Sequence, residues 1–153
     1  MAYDVTVERL TVCPTAVVRA DTTWQAFPAL WPTLLGEVWS FLRTNPDLHT
    51  DGHNVMLYRR DVPGIELRVE VGVQVTRPFD ASGRVVASAL PPGEAATTIH
   101  TGSPAEVGSA HAAVRSWCNG RGRDVTGISW EVYGDPDART GHFDIAVYWE
   151  LIA

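Results

Sequence analysis

Lysine is absent from this 153-residue chain: its 12 basic residues are all arginines, set against 18 Asp and Glu for a formal charge of −6. A general nucleic-acid binder needs a basic face to release phosphate counterions, so this balance argues against direct nucleic-acid binding and favours neutral or cationic partners. Cysteine is scarce too. Cys13 and Cys118 lie far apart with no Cys-x-x-Cys pair, and no Gly-x-Ser-x-Gly string is present, so covalent nucleophile chemistry has no support. Met1-Ala2-Tyr3-Asp4-Val5 lacks a basic start followed by an apolar run, so a cytoplasmic protein with reduced thiols is expected. Long apolar runs are missing: those near Leu30–Leu42 and Ile145–Ile152 are broken by Pro32, Glu37 and Glu150, short of the ~20 residues of a membrane span. There is no low-complexity tract and no linker-like stretch. One domain over residues 1–153 is expected, large enough to bury roughly 70% of its unfolded surface without a structural metal or disulfide.

What is present alternates strands and helices. Asp4–Val12 reads as a strand, with Val17–Arg19 continuing it after a break at Cys13-Pro14. A helix is expected within Pro28–Thr44, starting close to Pro32, with Leu35, Val38, Trp39 and Leu42 as its stripe and Leu34 and Phe41 widening it. Asn54–Arg60 and Ile65–Thr76 read as a hairpin, the second strand alternating Ile65, Leu67, Val69, Val71, Val73 and Val75 with polar residues. Strands at Arg84–Leu90 and Ala95–Thr101 precede a second helix over Pro104–Asn119. Ser103-Pro104-Ala105-Glu106 is a capping-box signature, Val107, Ala110, Val114 and Trp117 form the stripe, and Gly120 is the expected C-terminal cap. A last hairpin joins Ile128–Gly134 to His142–Leu151. The two halves, about 3–76 and 84–151, repeat strand, helix, strand, strand. The expected fold is α+β: a pseudo-twofold tandem of these units forming a curved antiparallel sheet with two main helices on one face.

The residues that can carry chemistry cluster in the last hairpin. Period-two geometry puts Glu131 and Tyr133 on one face of their strand and Trp130 and Val132 on the other. The neighbouring strand offers Tyr148 on its less apolar face. By the 73-residue offset between the halves' hairpins, Tyr58 holds the place that Glu131 holds in the second half. An acid among phenol rings suits an aromatic or lipophilic cation, since ring faces attract the cation and a desolvated carboxylate supplies its charge partner. A solvated sheet face with scattered Glu and Tyr would show the same spacing.

Three strings extend this reading. Glu70-Val71-Gly72-Val73-Gln74-Val75, Leu90-Pro91-Pro92-Gly93-Glu94-Ala95 with His100-x-Gly102, and Trp130-Glu131-Val132-Tyr133-Gly134-Asp135-Pro136 resemble, in order, the GyrI-like domain. That is the effector-binding domain of multidrug-sensing transcription regulators, found also alone. The resemblance implies a ligand groove between the two units, with Glu131 at the base of a mostly aromatic pocket and Tyr133 beside it. It implies bulky lipophilic, aromatic and often cationic small molecules as ligands, and no cofactor or metal. With no DNA-binding segment before Tyr3, the stand-alone form is expected. Gly102-Ser103-Pro104-Ala105 lacks the aromatic residue that the family often carries there.

Stand-alone members resemble two further classes. One is hydrolases that open cyclopropane-type electrophilic natural products, for which Glu131 would be the general base. The other is gyrase inhibitors, for which gyrase would be a protein partner and Glu131 dispensable. Expected ligand-binding residues are Glu131, Tyr133, Tyr148, Trp39, Tyr58, Trp31 and His100. Trp31 and Trp39 lie eight apart on the first helix, and one of them is expected to face the groove. His100 either donates to a ligand or holds the second helix's start. His111, on the border of the second stripe, reads as an edge-of-core residue, and Trp24 as a flap over a pocket or packing at the sheet edge. His49-Thr50-Asp51-Gly52-His53 has metal donors, but Gly52 and Asn45-Pro46 make it a loop without the helical meaning of that spacing.

Overall fold

The computed structural model describes residues 3–153. The chain forms β1 (Thr6–Leu10), β2 (Cys13–Thr22), α1 (Phe27–Thr44), β3 (Asn54–Arg59), β4 (Leu67–Gln74), β5 (Val86–Leu90), β6 (Gly93–Gly102), α2 (Val107–Gly120), β7 (Val125–Pro136) and β8 (Phe143–Leu151). The strands make one curved antiparallel sheet ordered β1-β6-β8-β7-β3-β4-β2-β5. Read inward from either edge, the order is the same with each strand number shifted by four, so the sheet is pseudo-twofold about its central β3–β7 pair.

Each half contains one strand more than the strand-helix-strand-strand repeat, and that strand is exchanged. β1 pairs with β6 of the second half, and β5 pairs with β2 of the first. The chain breaks at Thr11-Val12, and Pro14 lies within β2. Its carbonyl still accepts the Val75 N–H at 3.0 Å, so proline forfeits only a reciprocal bond at the strand's end.

α1 begins at Phe27, a turn and a half before the expected start, and keeps Pro32 inside it. Pro28 sits in the first turn, where a missing N–H costs nothing. Pro32 leaves only the Pro28 carbonyl without its helical donor, and both prolines are on the exposed side, where water can serve it. The buried stripe is Leu34, Val38 and Leu42, with Leu35 and Trp39 at its border.

At the start of α2 the capping box does not form. The Ser103 side chain makes no cap; its carbonyl accepts the Glu106 N–H at 3.0 Å, and a 3-10 turn, Pro104–Glu106, leads into the helix. Ala110, Val114 and Cys118 form the buried stripe, displacing Trp117 to its edge. The left-handed position after the helix belongs to Gly122 (φ +65°), not Gly120.

Both helices cover the same face. α1 packs on β2 and β4, and α2 on β6 and β8, so the central pair β3–β7 runs between them. Under α1 lie Ala16, Val18, Val69, Val71 and Val73; under α2 lie Ala96, Ile145, Val147, Trp149 and Leu151. The opposite face carries its own cluster, with Val55, Leu57, Leu90, Ala95 and Trp130 at its centre. Among the described residues no helix is long and apolar enough to cross a membrane.

Candidate functional site

The strand registers decide which side chains meet between the helices. β3 and β7 place Met56 opposite Glu131 and Tyr58 opposite Ser129, and β7 and β8 place Glu131 opposite Val147 and Ser129 opposite Trp149. Directly opposed residues share a face. Met56, Tyr58, Ser129, Glu131, Tyr133 and Trp149 therefore line the strip between α1 and α2.

Glu131 is only 3% exposed. Its Oε1 accepts the Tyr58 hydroxyl at 2.8 Å and the Tyr133 hydroxyl at 2.6 Å, and its Oε2 meets His111 Nε2 at 2.7 Å. The Trp149 indole N–H, which can only donate, points at His111 Nδ1 at 3.0 Å. Nδ1 must therefore be the bare nitrogen and Nε2 must carry the proton, which it donates to Glu131. Trp149 thereby selects one tautomer and holds the imidazole neutral.

Both phenols stay protonated donors as well. Burial, then the charge of Glu131, pushes the Tyr58 hydroxyl well above the usual phenol range, and the same causes in the same order raise Tyr133. Glu131 thus faces three neutral donors and, among the described residues, no cation within salt-bridge distance. Its hydrogen bonding is well satisfied while its charge is not.

Aromatic rings surround this acid. Trp24 lies tilted on Tyr58 at 5.3 Å between centroids, Phe27 meets Tyr58 edge-on at 5.6 Å, and His111 meets Trp149 edge-on at 5.9 Å. Trp24 is 42% exposed and so forms the outer layer over Tyr58. Beyond Tyr58 on the same face, the Arg60 guanidinium lies 4.7 Å from the Trp24 ring centroid and 4.8 Å from that of Trp149 and donates to Ser129 Oγ at 2.9 Å. Arg115, one turn after His111 on α2, approaches the Trp149 ring to 5.3 Å.

Of the residues singled out in the sequence, the structure brings together Glu131, Tyr133 and Tyr58. Tyr148 lies on the other side of the sheet: it is paired with Trp130 and stacked on it at 5.4 Å and 13°. Because partners across strands share a face, a residue opposite Trp130 cannot share one with Glu131. Trp39 donates its indole N–H to Asn54 Oδ1 at 3.0 Å and meets His49 edge-on, and Trp31 is half-buried against the α1 core. Among the described residues neither hydrogen-bonds to or forms a ring pair with Glu131, Tyr58, Tyr133 or His111. His100 is engaged elsewhere, its Nε2 on the Ser103 carbonyl at 2.8 Å and its Nδ1 on the Tyr3 hydroxyl at 2.9 Å, where it secures the approach to α2. His49 and His53 do not converge: His49 bonds the Gly52 carbonyl and His53 approaches Asp135 at 3.5 Å. Among the described residues no three metal-ligating side chains cluster.

Sequence reasoning missed the part played by His111 and Trp149 and left Trp24 open. The spacing of His111, four after Val107 and three before Val114, marks it as facing inward at the edge of the stripe. That position reaches the neighbouring strand's acid as readily as it reaches core.

Comparison with known proteins agrees with this architecture. The fold matches the crystal structure of the EcmrR C-terminal domain at TM-score 0.78 and 19% identity, covering 99% of each chain. It also matches EcmrR in a DNA complex at TM-score 0.76 and 18% identity, over 97% of this chain but 57% of that one. SAV2435, in a structure bound to tetraphenylphosphonium, matches at TM-score 0.67 and 10% identity over 100% and 95% of the two chains. A hydrolase from Listeria innocua matches at TM-score 0.61 and 9% identity over 97% and 91%. No curated protein sequence matches. The profile of the GyrI-like small-molecule-binding domain spans residues 3–151, which is the whole repeated architecture just described, and the chain belongs to that family.

Proposed function

We propose that this chain binds bulky lipophilic, aromatic, cationic small molecules, with Glu131 as the charge partner and Tyr58, Tyr133, Trp24 and Trp149 as ring surfaces. The observation that carries the reading is the uncompensated charge of Glu131. A buried carboxylate is costly unless paired with a cation, and here every donor to it is neutral. A lipophilic cation loses little hydration on entry and gains both the carboxylate and the ring faces. Tetraphenylphosphonium, bound by SAV2435, has this chemistry.

Hydrolysis of a strained electrophile is the second reading. It is favoured by the acceptor position that Glu131 has left, where a water would be held for deprotonation beside an electrophile. Three of its roughly four acceptor positions are already occupied, so activating a water would use the last.

The test is tryptophan-fluorescence titration of wild type and Glu131→Gln with tetraphenylphosphonium, together with mass analysis of a cyclopropane-bearing electrophile incubated with each. Saturable binding weakened at least tenfold by the substitution, with the electrophile recovered intact, is the expected result. Glu131-dependent hydration of the electrophile would establish the second reading. Absence of both binding and turnover in wild type would overturn both and leave a protein-interaction role.

A further inference from the structure

The strip between the helices does not end at Glu131. Two residues back along β7, roughly 7 Å at strand rise, Ser129 holds Arg60, and Arg115 reaches the same Trp149 indole from α2. Six other arginines, Arg19, Arg59, Arg68, Arg77, Arg84 and Arg123, each hold a carboxylate. Among the described residues the other six, Arg9, Arg43, Arg60, Arg115, Arg121 and Arg139, hold none, and of these Arg60 and Arg115 are the two that approach one buried indole, that of Trp149.

Arg60 is half-buried between two indoles, and Ser129 is its side-chain hydrogen-bond partner, which leaves further N–H groups of the guanidinium fork unengaged. Burial, then the nearby charge of Arg115, weakens its hold on its proton, and the more distant charge of Glu131 offsets this only in part. Stacking on indole explains where the planes lie, but it leaves the two positive charges unneutralised.

The strip is therefore bipolar. A carboxylate without a cation stands at one end, two guanidiniums without an anion stand at the other, and Tyr58 and Trp149 lie between. A simple lipophilic cation answers one end and is repelled by the other; a simple anion has the reverse problem. We propose that the preferred ligands are zwitterionic aromatic compounds, whose cationic centre sits at Glu131 and whose carboxylate or comparable anionic group is held by Arg60 and Arg115. This rests on the reading of Glu131 as a cation partner and adds the second charge that the ligand must carry. Guanidinium is suited to the task because its planar fork grips a carboxylate through two parallel hydrogen bonds while its face remains on an aromatic ring.

A matched pair of dyes tests it. Rhodamine B carries a lipophilic xanthene cation and a free benzoate; its ethyl ester keeps the cation and masks the acid. Binding of each to wild type, Arg60→Gln, Arg115→Gln and Glu131→Gln is measured by fluorescence polarisation at low salt and neutral pH. The expected result is that wild type prefers the acid over the ester about tenfold or more, that either arginine substitution removes most of that preference by weakening the acid while the ester binds as well as before or more tightly, and that Glu131→Gln weakens both dyes. Arg115 is exposed, so its substitution isolates the charge even if Arg60→Gln disturbs packing. Equal affinity for the two dyes in wild type, or arginine substitutions that weaken both alike, overturns the zwitterion proposal while leaving cation binding in place. Failure of both dyes to bind wild type removes the cation reading and this proposal with it.

Discussion

Tyr58 and Glu131 occupy equivalent positions in the two halves of the sheet, and they are hydrogen-bonded to each other across the pseudo-twofold, hydroxyl to carboxylate, at 2.8 Å. The register pairs Leu57 with Trp130 at the centre of β3–β7, so the next residue of each strand lands beside the axis on the helix-bearing face. Symmetry of backbone brings the two positions together, and divergence of side chain makes one a donor and the other an acceptor. Two acids there would repel, and two phenols would offer a cation no charge.

That pairing has a consequence at high pH. Tyr58 and Tyr133 are both held above the ordinary phenol value of 10, so the folded state keeps protons that the unfolded chain releases. Their contribution to stability is fully present below about pH 10 and is lost as the pH rises beyond it, because only the unfolded state then gains by ionising. Urea denaturation from pH 8 to 12 is expected to show wild type losing stability above pH 10. Tyr58→Phe and Tyr133→Phe should flatten that loss while costing about 1.5–3 kcal/mol each at pH 7, the value of a hydrogen bond to a charged acceptor. An unchanged alkaline slope in both variants would contradict the assignment.

Much of this arrangement was legible in the sequence, for reasons that also explain what was not. Glu131 and Tyr133 share a face because strand period is exactly local, and Tyr58 follows from the repeat offset. Tyr148 was placed on the less apolar face of β8 correctly as a pattern, but that face is Trp130's, and only the cross-strand register reveals it. The exchange of β1 and β5 between halves is likewise a long-range pairing with no local signature. At α2 the capping-box letters are all present, yet Ser103 instead offers its carbonyl to His100 and its side chain makes no cap. Trp24 lies in a segment without periodicity, so nothing short of the fold could place its ring on Tyr58.

Glycine provides a contrast that separates packing from chain entropy. A Cβ on Gly72 would stand 1.8 Å from the Ala16 carbonyl oxygen, where β2 and β4 run side by side, whereas a Cβ on Gly36 in α1 meets nothing within 4 Å. Backbone cannot yield as a flexible side chain does, so Gly72→Ala is expected to cost more than about 2 kcal/mol or to prevent folding. Gly36→Ala, at an exposed helical site, is expected to stabilise by about 0.5–1 kcal/mol. Chemical denaturation of the two single variants checks both signs, and a neutral Gly72→Ala would mean that the β2–β4 approach is looser than described.

The Trp149–His111–Glu131 chain makes a sharper demand, because its donors run in one direction. Trp149 donates to His111 Nδ1, which forces the imidazole proton onto Nε2 and toward residue 131. Glutamine at 131 must then either set its NH₂ against that N–H or turn the NH₂ to the two phenols and forfeit the bonds they donate to Oε1. Either arrangement leaves a buried donor unmet, at a cost of about 1–3 kcal/mol. Replacing Trp149 by Phe removes the donor that fixes the tautomer, so the imidazole can move its proton to Nδ1 and accept from the glutamine. The double-mutant cycle of Glu131→Gln and Trp149→Phe, followed by urea denaturation, is therefore expected to show Glu131→Gln costing about 1 kcal/mol less in the Trp149→Phe background than in wild type. Nitrogen-15 chemical shifts of the His111 ring should report the Nε2–H form in wild type and the Nδ1–H form in the double variant. Additive costs, with the Nε2–H form persisting throughout, would show that Trp149 contributes only its bulk and that the tautomer of His111 is set by Glu131 alone.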